Sequence, residues 1–257
     1  MSNFRYLILC ATMAVFLAGC NSQPAPRESP ESASAKATAA IDPATAGSIS
    51  GVVKFSGAAP VRQPIDMDQD PACALGSKEP NFSEALVVNQ GKLQNVFLYV
   101  KEGLENYALP SAPAPAVLDQ KGCRYSPHVL GMVAGQTLRV LNSDLAEHNV
   151  HFMARNNAEW NESQMPRGAP KEHAIEHAEL LLPVTCNQHP WMKMYVNVVN
   201  HPFFAVSDAQ GHFAISGLPP GEYTLAAVHE KLGTQSLKIK VAARRDTPAE
   251  FTFNPAP

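Results

Sequence analysis

The sequence predicts an all-β protein built from β-sandwiches. From residue 48 onward, short apolar runs alternate with polar residues and end at Gly, Pro or Asn turns, as antiparallel strands do. The chain has no internal repeat, and only KEHAIEHAELLL, residues 171–182, has a weak helical pattern. Because that segment directly precedes a strand pattern, it is ambiguous, and the remaining signals favour sandwiches or barrels.

The N-terminus, residues 1–19, is predicted to be a signal peptide rather than part of the fold. One basic residue precedes the apolar run LILCATMAVFLAGC, which is too short for a spanning helix. The run ends in LAGC, residues 17–20, and resembles a bacterial lipobox. This resemblance implies cleavage before Cys20 and lipidation of that residue; an ordinary signal peptide with an accidental cysteine is the alternative. Asn21 then favours the outer membrane, so we expect a lipid anchor on the periplasmic face of the envelope.

Residues 20–47 are predicted to be a disordered tether. They are rich in Ala, Pro, Ser and Glu and nearly lack large apolar side chains, so they cannot bury enough surface to offset the entropy of ordering. Roughly 210 residues remain, enough for one large or two ordinary domains. The net charge of -3 is mild and gives no sign of nucleic-acid binding. The nine His and eight Met residues are more informative, because both types ligate soft or borderline metals.

The C-terminal segment carries a hairpin turn, DAQG, and a GLPPG corner followed by a strand pattern. It resembles the carboxypeptidase regulatory-like domain, a small transthyretin/Ig-like β-sandwich, in Asp208, Gly211, Phe213, Leu218, Pro219, Pro220, Gly221, Tyr223 and Leu225. That family opens with a Gly-x-Val strand, which GVV at residues 51–53 supplies. We therefore expect residues 48–112 and 203–257 to share one sandwich, with residues 113–202 inserted in it. Three modules in series are the alternative.

The stretch TCNQHPWMKM contains three metal-ligand types at a spacing of three: Cys186, His189 and Met192. Upstream, a strand pattern and a polar turn precede His148 and Asn149. Together these motifs resemble a cupredoxin, and the short Cys-x-x-His-Pro-x-Met loop is similar to that of amicyanin. The resemblance implies a Greek-key β-sandwich holding one blue copper ion on His148, Cys186, His189 and Met192.

The residue types fit that chemistry. A thiolate and two imidazoles with a weak axial thioether suit both Cu(I) and Cu(II), so little moves when an electron is transferred. Asn149 is expected to hydrogen-bond the Cys186 loop and hold it against the His148 strand. By resemblance, His189 is the ligand nearest solvent, and Pro190 and Trp191 belong to an apolar patch where a redox partner docks.

Each ligand has a plainer interpretation on its own: Cys186 as a buried thiol, Met192 as core, and His148 as a turn residue. Zinc is a weaker candidate, because methionine is a poor zinc ligand. Among the other histidines, His151 is expected to face the opposite side of its strand from His148. His128 is expected to be structural or to support a ligand, and not to be a ligand itself. His173 and His177 are spaced for one helix face, which suits either a second metal or, more simply, a solvated segment.

Three cysteines remain after cleavage and lipidation: Cys73, Cys123 and Cys186. An oxidising compartment favours one disulfide and one odd thiol. If Cys186 is the odd thiol, Cys73 and Cys123 form the disulfide. A bridge over about 50 residues stabilises by a few kcal/mol.

We expect an electron carrier between periplasmic redox proteins and not an enzyme, because the sequence shows no open catalytic copper position and no nucleophile constellation. The alternative is a copper-handling envelope lipoprotein without redox turnover, whose additional ligands would be Met153, Met165, His173, His177 and Met194. A structural envelope protein with a vestigial site is a third interpretation.

Overall fold

The computed structural model describes residues 38–76, 80–111 and 114–255. The predicted signal peptide, Cys20 and the first part of the predicted tether lie outside the described residues, so lipidation stays a prediction. Within the described residues the chain forms eighteen strands and one short helix, and the all-β prediction is confirmed. No helix among them is long and apolar enough to cross a membrane.

The elements follow one another in a simple order along the chain. The helix, α1 (Pro71–Gly76), lies between the first two strands. The strands are β1 (Gly47–Phe55), β2 (Val88–Asn89), β3 (Lys92–Leu93), β4 (Phe97–Glu102), β5 (Ala116–Gln120), β6 (Tyr125–Ser126), β7 (Val129–Val133), β8 (Gln136–Asn142), β9 (His148–Phe152), β10 (Trp160–Gln164), β11 (Lys171–Ile175), β12 (Glu179–Thr185), β13 (Lys193–Val199), β14 (Phe204–Val206), β15 (His212–Leu218), β16 (Gly221–His229), β17 (Gly233–Val241) and β18 (Asp246–Phe253).

Strands from both ends of the described chain form one pair of sheets, here called the terminal sandwich. One sheet has the order β15-β1-β3-β2, with β18 also paired to β1, and the other has the order β14-β4-β16-β17. Their apolar faces enclose a shared core that includes Ile49, Leu98, Leu225 and Phe253. This pairing favours the inserted arrangement over three modules in series, while the domain boundaries themselves stay a prediction.

The intervening strands form a second pair of sheets, the central sandwich. Its sheets have the orders β10-β9-β12-β13-β7 and β11-β8-β5-β6. The core between them includes Leu118, Phe152 and Leu182 and extends to Cys186 and Met192. Two predicted metal ligands therefore lie at one end of this core.

The two sandwiches pack against each other through a small apolar cluster. Phe97 on β4 of the terminal sandwich is buried with Val129 and Val199 of the central sandwich, and Phe204 packs against them. Nearby, the buried imidazole of His128 contacts the carboxylate of Glu230 in the β16–β17 turn. His128 thus belongs to the contact between the two sandwiches.

The connection between β1 and β2 crosses from the terminal to the central sandwich, and its residues 65–76 are called the cover segment. Asp70 caps α1, since its Oδ1 accepts the N–H groups of Ala72 at 2.8 Å and Cys73 at 3.2 Å, and Pro71 follows at the first helical position. Cys73 is disulfide-bonded to Cys123 of the central sandwich. The bridge fixes the cover segment to the β5–β6 turn.

Two sequence-based expectations differ from the structure. The predicted tether extends too far, because Ala39 pairs with the backbone beside Tyr107 and Ile41 packs against the terminal core. The ambiguous helical patch forms β11 and β12 instead. β11 pairs with β8 in one sheet, and β12 pairs with β9 and β13 in the other. Hydrogen bonding within the sheets therefore outweighs the weak helical pattern.

Candidate metal centre

Three of the four predicted ligands converge at one end of the central sandwich. His148 begins β9, and Cys186 and His189 follow β12. Nδ1 of His148 lies 2.9 Å from Nδ1 of His189, and Sγ of Cys186 lies 3.6 Å from the same His189 atom. The three side chains offer ligand atoms within 4.8 Å of one another, and all three are buried.

The loop after β12 is closed by its own backbone. The N–H of Cys186 donates to the carbonyl of Met192 at 3.2 Å, and the N–H of Met192 donates to the carbonyl of His189 at 2.9 Å. Met192 is fully buried in the same core as Cys186. The tight loop thereby returns the methionine side chain to the core that also contains Cys186.

Asn149 fastens this loop to the strand that carries His148. Its Oδ1 accepts the N–H of Asn187 at 2.6 Å and the Sγ–H of Cys186 at 3.2 Å. Its own backbone N–H points at Sγ of Cys186 at 3.5 Å. These are the contacts that the sequence-based hypothesis expected of Asn149.

Each imidazole is also held from its far side by a carboxylate that the sequence analysis missed. Oδ2 of Asp144 lies 2.9 Å from Nε2 of His148, and Oδ2 of Asp70 lies 2.9 Å from Nε2 of His189. Asp144 could have been found in the sequence, since it precedes His148 by four residues in a turn. No local signal connects Asp70 to His189, because 119 residues separate them.

The cover segment changes the predicted accessibility of the site. The His189 side chain is 4% exposed, with Sγ of Cys73 at 3.8 Å from its Nε2 and the Trp191 ring 5.0 Å away, centroid to centroid. Pro190 is exposed, whereas Trp191 is half-buried and donates its Nε1–H to the carbonyl of Cys123 at 3.0 Å. The cover segment therefore buries His189 and contacts the predicted docking patch at Trp191, while His189 is no less exposed than the other candidate ligands and the docking role stays a prediction.

The electrostatics favour an ionised thiol at the centre. Burial raises the pKa of Cys186, but hydrogen bonds from His148 and from the N–H groups of Asn149, His189 and Gln188 outweigh it and bring the pKa to about 6. Burial lowers the pKa of His148, but Asp144 and Cys186 outweigh it and raise the pKa to about 9. Both shifts favour a thiolate beside a protonated imidazole over the neutral pair.

Both carboxylates are charged. The hydrogen bond from His189 is the largest cause of the lowered pKa of Asp70. Burial raises the pKa of Asp144, yet His148 and the N–H groups of Cys123 and Gly122 outweigh it, and the net shift is downward.

The other histidines lie apart from this cluster. His151 pairs with Glu159, and His173 stacks on Trp160 at 3.8 Å between ring centroids. His177 is exposed in the turn before β12. Two further groups of possible ligands within the described residues each contain one half of the disulfide and one of the same two histidines. Since a disulfide sulfur is not a thiolate, the His148, Cys186 and His189 group is the one suited to a metal.

Searches for matching family models and for curated relatives returned no match. Among solved structures, the chain is similar to a copper-containing nitrite reductase from Thermus scotoductus SA-01, with 19% identity over 38% of this chain and a TM-score of 0.31. It spans 24% of that enzyme's length. It is also similar to a Cu(I) form of a methionine-to-alanine variant of amicyanin, with 19% identity and a TM-score of 0.30, over 39% of this chain and 97% of amicyanin.

Proposed function

We propose that this chain is a cupredoxin that binds one copper ion and carries single electrons between redox partners. His148, Cys186 and His189 would be the strong ligands and Met192 the weak axial one. The observation that carries this proposal is the convergence of two Nδ1 atoms and an ionised thiol in one buried place.

The donor set fits copper better than zinc. Each Nε2 is held by a carboxylate, so Nδ1 is the nitrogen of each ring that faces the common centre and would bind the metal. Two imidazoles, a thiolate and a nearby thioether form the combination that blue-copper sites use. Structural zinc sites use Cys and His and rarely Met. Bound copper would supply the one-electron chemistry, and the chain would supply a rigid, dry ligand set.

Burial favours an electron carrier over the alternative of copper handling. The ligand residues His148, Cys186 and His189 are at most 3% exposed. An electron can pass through buried ligands, whereas a copper ion can leave only if the loop and the cover segment open. Copper handling is therefore the second candidate, and the exposed Met165 and Met153 are its remaining support.

The cellular location of the protein is proposed from the sequence. Lipidation at Cys20 would anchor the chain to the outer membrane on its periplasmic side. Its partners would then be periplasmic redox proteins, and the chain itself would not be an enzyme.

The test is a visible spectrum of the purified full chain titrated with Cu(II). An intense thiolate-to-copper band at one equivalent, bleached by ascorbate and restored by an oxidant, is expected. Cys186→Ser and His148→Gln should lose the band. His151→Gln is the matched control, because it alters an imidazole on the same strand that is paired to Glu159. A colourless wild-type protein contradicts the proposal.

A second measurement separates the two candidates. A carrier gives a reversible voltammetric wave and keeps its copper against a Cu(I) chelator. A handling protein transfers Cu(I) to the chelator rapidly, and that result would favour the alternative.

A further inference from the structure

We infer that Asp144 and Asp70 are positioning residues that hold the two copper imidazoles and favour Cu(II) over Cu(I), so that the cover segment helps to set the reduction potential. This inference rests on the proposed function. It concerns carboxylates that the ligand motif does not contain, one of which comes from outside the central sandwich.

The two contacts are equivalent in geometry. In each, a carboxylate Oδ2 accepts from Nε2 of a ligand histidine at 2.9 Å. In each, the Nδ1 atom of the same ring faces the common centre, where the two Nδ1 atoms lie 2.9 Å apart. The carboxylates therefore fix both ring orientation and the nitrogen that carries the proton.

Each carboxylate is itself held by backbone donors. Asp144 accepts the N–H groups of Gly122 at 2.7 Å and Cys123 at 2.8 Å, and its side chain is 14% exposed. Asp70 accepts two N–H groups at the start of α1, and its side chain is 30% exposed. Neither carboxylate depends on the histidine for its own position, so both are in place before a metal binds.

The disulfide connects the segments that hold Asp70 and Asp144 in place. Cys73 donates its N–H to Asp70 and Cys123 donates its N–H to Asp144, and the two cysteines are bonded to each other. The carboxylates that support His189 and His148 are thus connected through these two hydrogen bonds and the disulfide. Asp70 reaches the site only because the cover segment is attached there.

A carboxylate that accepts from the far N–H of a ligand imidazole raises the basicity of the ligating nitrogen. Two such anions near the metal also stabilise the higher charge of Cu(II). Reduction of bound Cu(II) to Cu(I) by one electron from a donor protein would move no proton and break no bond, and the two carboxylates would stabilise the lower charge of Cu(I) less. The carboxylates therefore lower the reduction potential.

The test compares Asp144→Asn and Asp70→Asn in the full chain. Asparagine removes the charge and keeps an acceptor oxygen, and it caps a helix about as well as aspartate, so α1 is preserved in the Asp70 variant. Asp208→Asn is the matched control, because Asp208 also accepts two backbone N–H groups in an exposed turn, but in the terminal sandwich. Cu(II) affinity, Cu(I) affinity and reduction potential are measured for each.

Both site variants are expected to bind Cu(II) about tenfold more weakly with a smaller loss for Cu(I). A tenfold change in the ratio of the two affinities raises the potential by about 59 mV. The control should keep the wild-type potential. Equal potentials in all four proteins, or equal losses of both affinities, would overturn the inference.

The wild-type spectrum separates this inference from the proposed function. Absence of a blue band in the wild type defeats the proposed function, whereas a blue band with unshifted variants defeats only the positioning role. A metal-free measurement adds an independent readout. NMR should detect slowly exchanging Nε2–H protons on His148 and His189, and each should exchange faster in the variant of its own carboxylate, because an amide oxygen is a weaker acceptor than a carboxylate. Unchanged exchange rates of both protons in both variants contradict the inference.

Discussion

Oδ2 of Asp70 accepts a hydrogen bond from Nε2 of His189 across 119 residues of sequence. Asp70 lies in the connection between two strands of the terminal sandwich, and His189 lies in the ligand loop of the central one. The environment of the candidate centre is therefore complete only when both parts of the chain are folded. Substitutions that loosen the fold should therefore also alter the candidate centre. Five predictions test the fold and the centre separately.

Removal of the Cys73–Cys123 disulfide should destabilise the protein. The bridge closes a loop with a sequence separation of 50, and the loss of its constraint on the unfolded chain costs about 2–4 kcal/mol. Cys73→Ser combined with Cys123→Ser tests this by urea unfolding. Wild type with and without reductant provides the matched comparison, and identical unfolding midpoints in the two conditions would contradict the expectation.

Asn149→Ala should loosen the ligand loop. The substitution leaves the N–H of Asn187 and the Sγ of Cys186 without their partner, and an unsatisfied group of this kind costs about 1–3 kcal/mol. Thermal unfolding and the position of the copper band are the measurements. Asn161→Ala is the control, since Asn161 bonds only the opposite end of the Asn149 side chain. Equal effects of the two variants would show that the loop contacts contribute nothing specific.

The grouping of the candidate ligands could be predicted from sequence because its parts are local. Three candidate ligands lie within seven residues, 186–192, and the fourth is adjacent to Asn149 at the start of a recognisable strand. Strand alternation around residues such as Val52 and Phe55 likewise predicted the β class, because side chains on successive strand residues face opposite sides.

The covering of the site could not be predicted in this way. Whether His189 is exposed depends on where the cover segment packs, and that is fixed by contacts far apart in sequence, such as Asp70 with His189. The helical pattern at residues 171–182 was outweighed for a related reason. Its residues satisfy their backbone groups through neighbouring strands, and a single sequence does not specify those neighbours.

Met192→Leu should raise the reduction potential while the copper band is retained. Leucine conserves volume in this fully buried position, so the fold should lose less than about 1.5 kcal/mol. The variant would remove the weak thioether donor proposed for Cu(II), and a ligand of this kind tunes the potential of blue-copper sites. Met194→Leu is the matched control, because Met194 is equally buried in the same core but lies on β13. Voltammetry that gives the same potential for both variants would exclude Met192 as a ligand.

His229 should make stability depend on pH. The ring is 1% exposed, its Nδ1 accepts the N–H of Lys231 at 3.1 Å, and its Nε2 has no partner within the described part of the chain. Burial lowers the pKa to about 4, with smaller opposing and reinforcing effects of Glu230, His128 and Lys231. Below the ordinary value of 6.5 the unfolded chain binds a proton that the native state excludes. The free energy of unfolding therefore falls as the pH falls from 6.5 towards 4.

Each pH unit in this window costs about 1.4 kcal/mol, so His229 should contribute a loss of about 2 kcal/mol between pH 6.5 and 5. His229→Asn removes the titration and keeps an acceptor for the Lys231 N–H. Urea unfolding of the wild type and the variant at several pH values isolates the contribution of His229, because the carboxylates titrate alike in the two proteins. Parallel pH profiles would contradict the prediction.

Gly131→Ala should weaken the packing between the two sandwiches. A Cβ at this position of β7 would lie 2.6 Å from the ring of Phe204 and 2.7 Å from that of Phe97, and both rings belong to the cluster that joins the sandwiches. Such overpacking costs about 1–3 kcal/mol. Gly76→Ala is the control, because a Cβ there meets nothing within 4 Å and alanine favours the helical conformation of α1. Differential scanning calorimetry should show a lower melting temperature for the first variant and an unchanged or higher one for the second. If Gly131→Ala has the melting temperature of the wild type, the cluster of Phe97 and Phe204 with β7 does not hold the two sandwiches together.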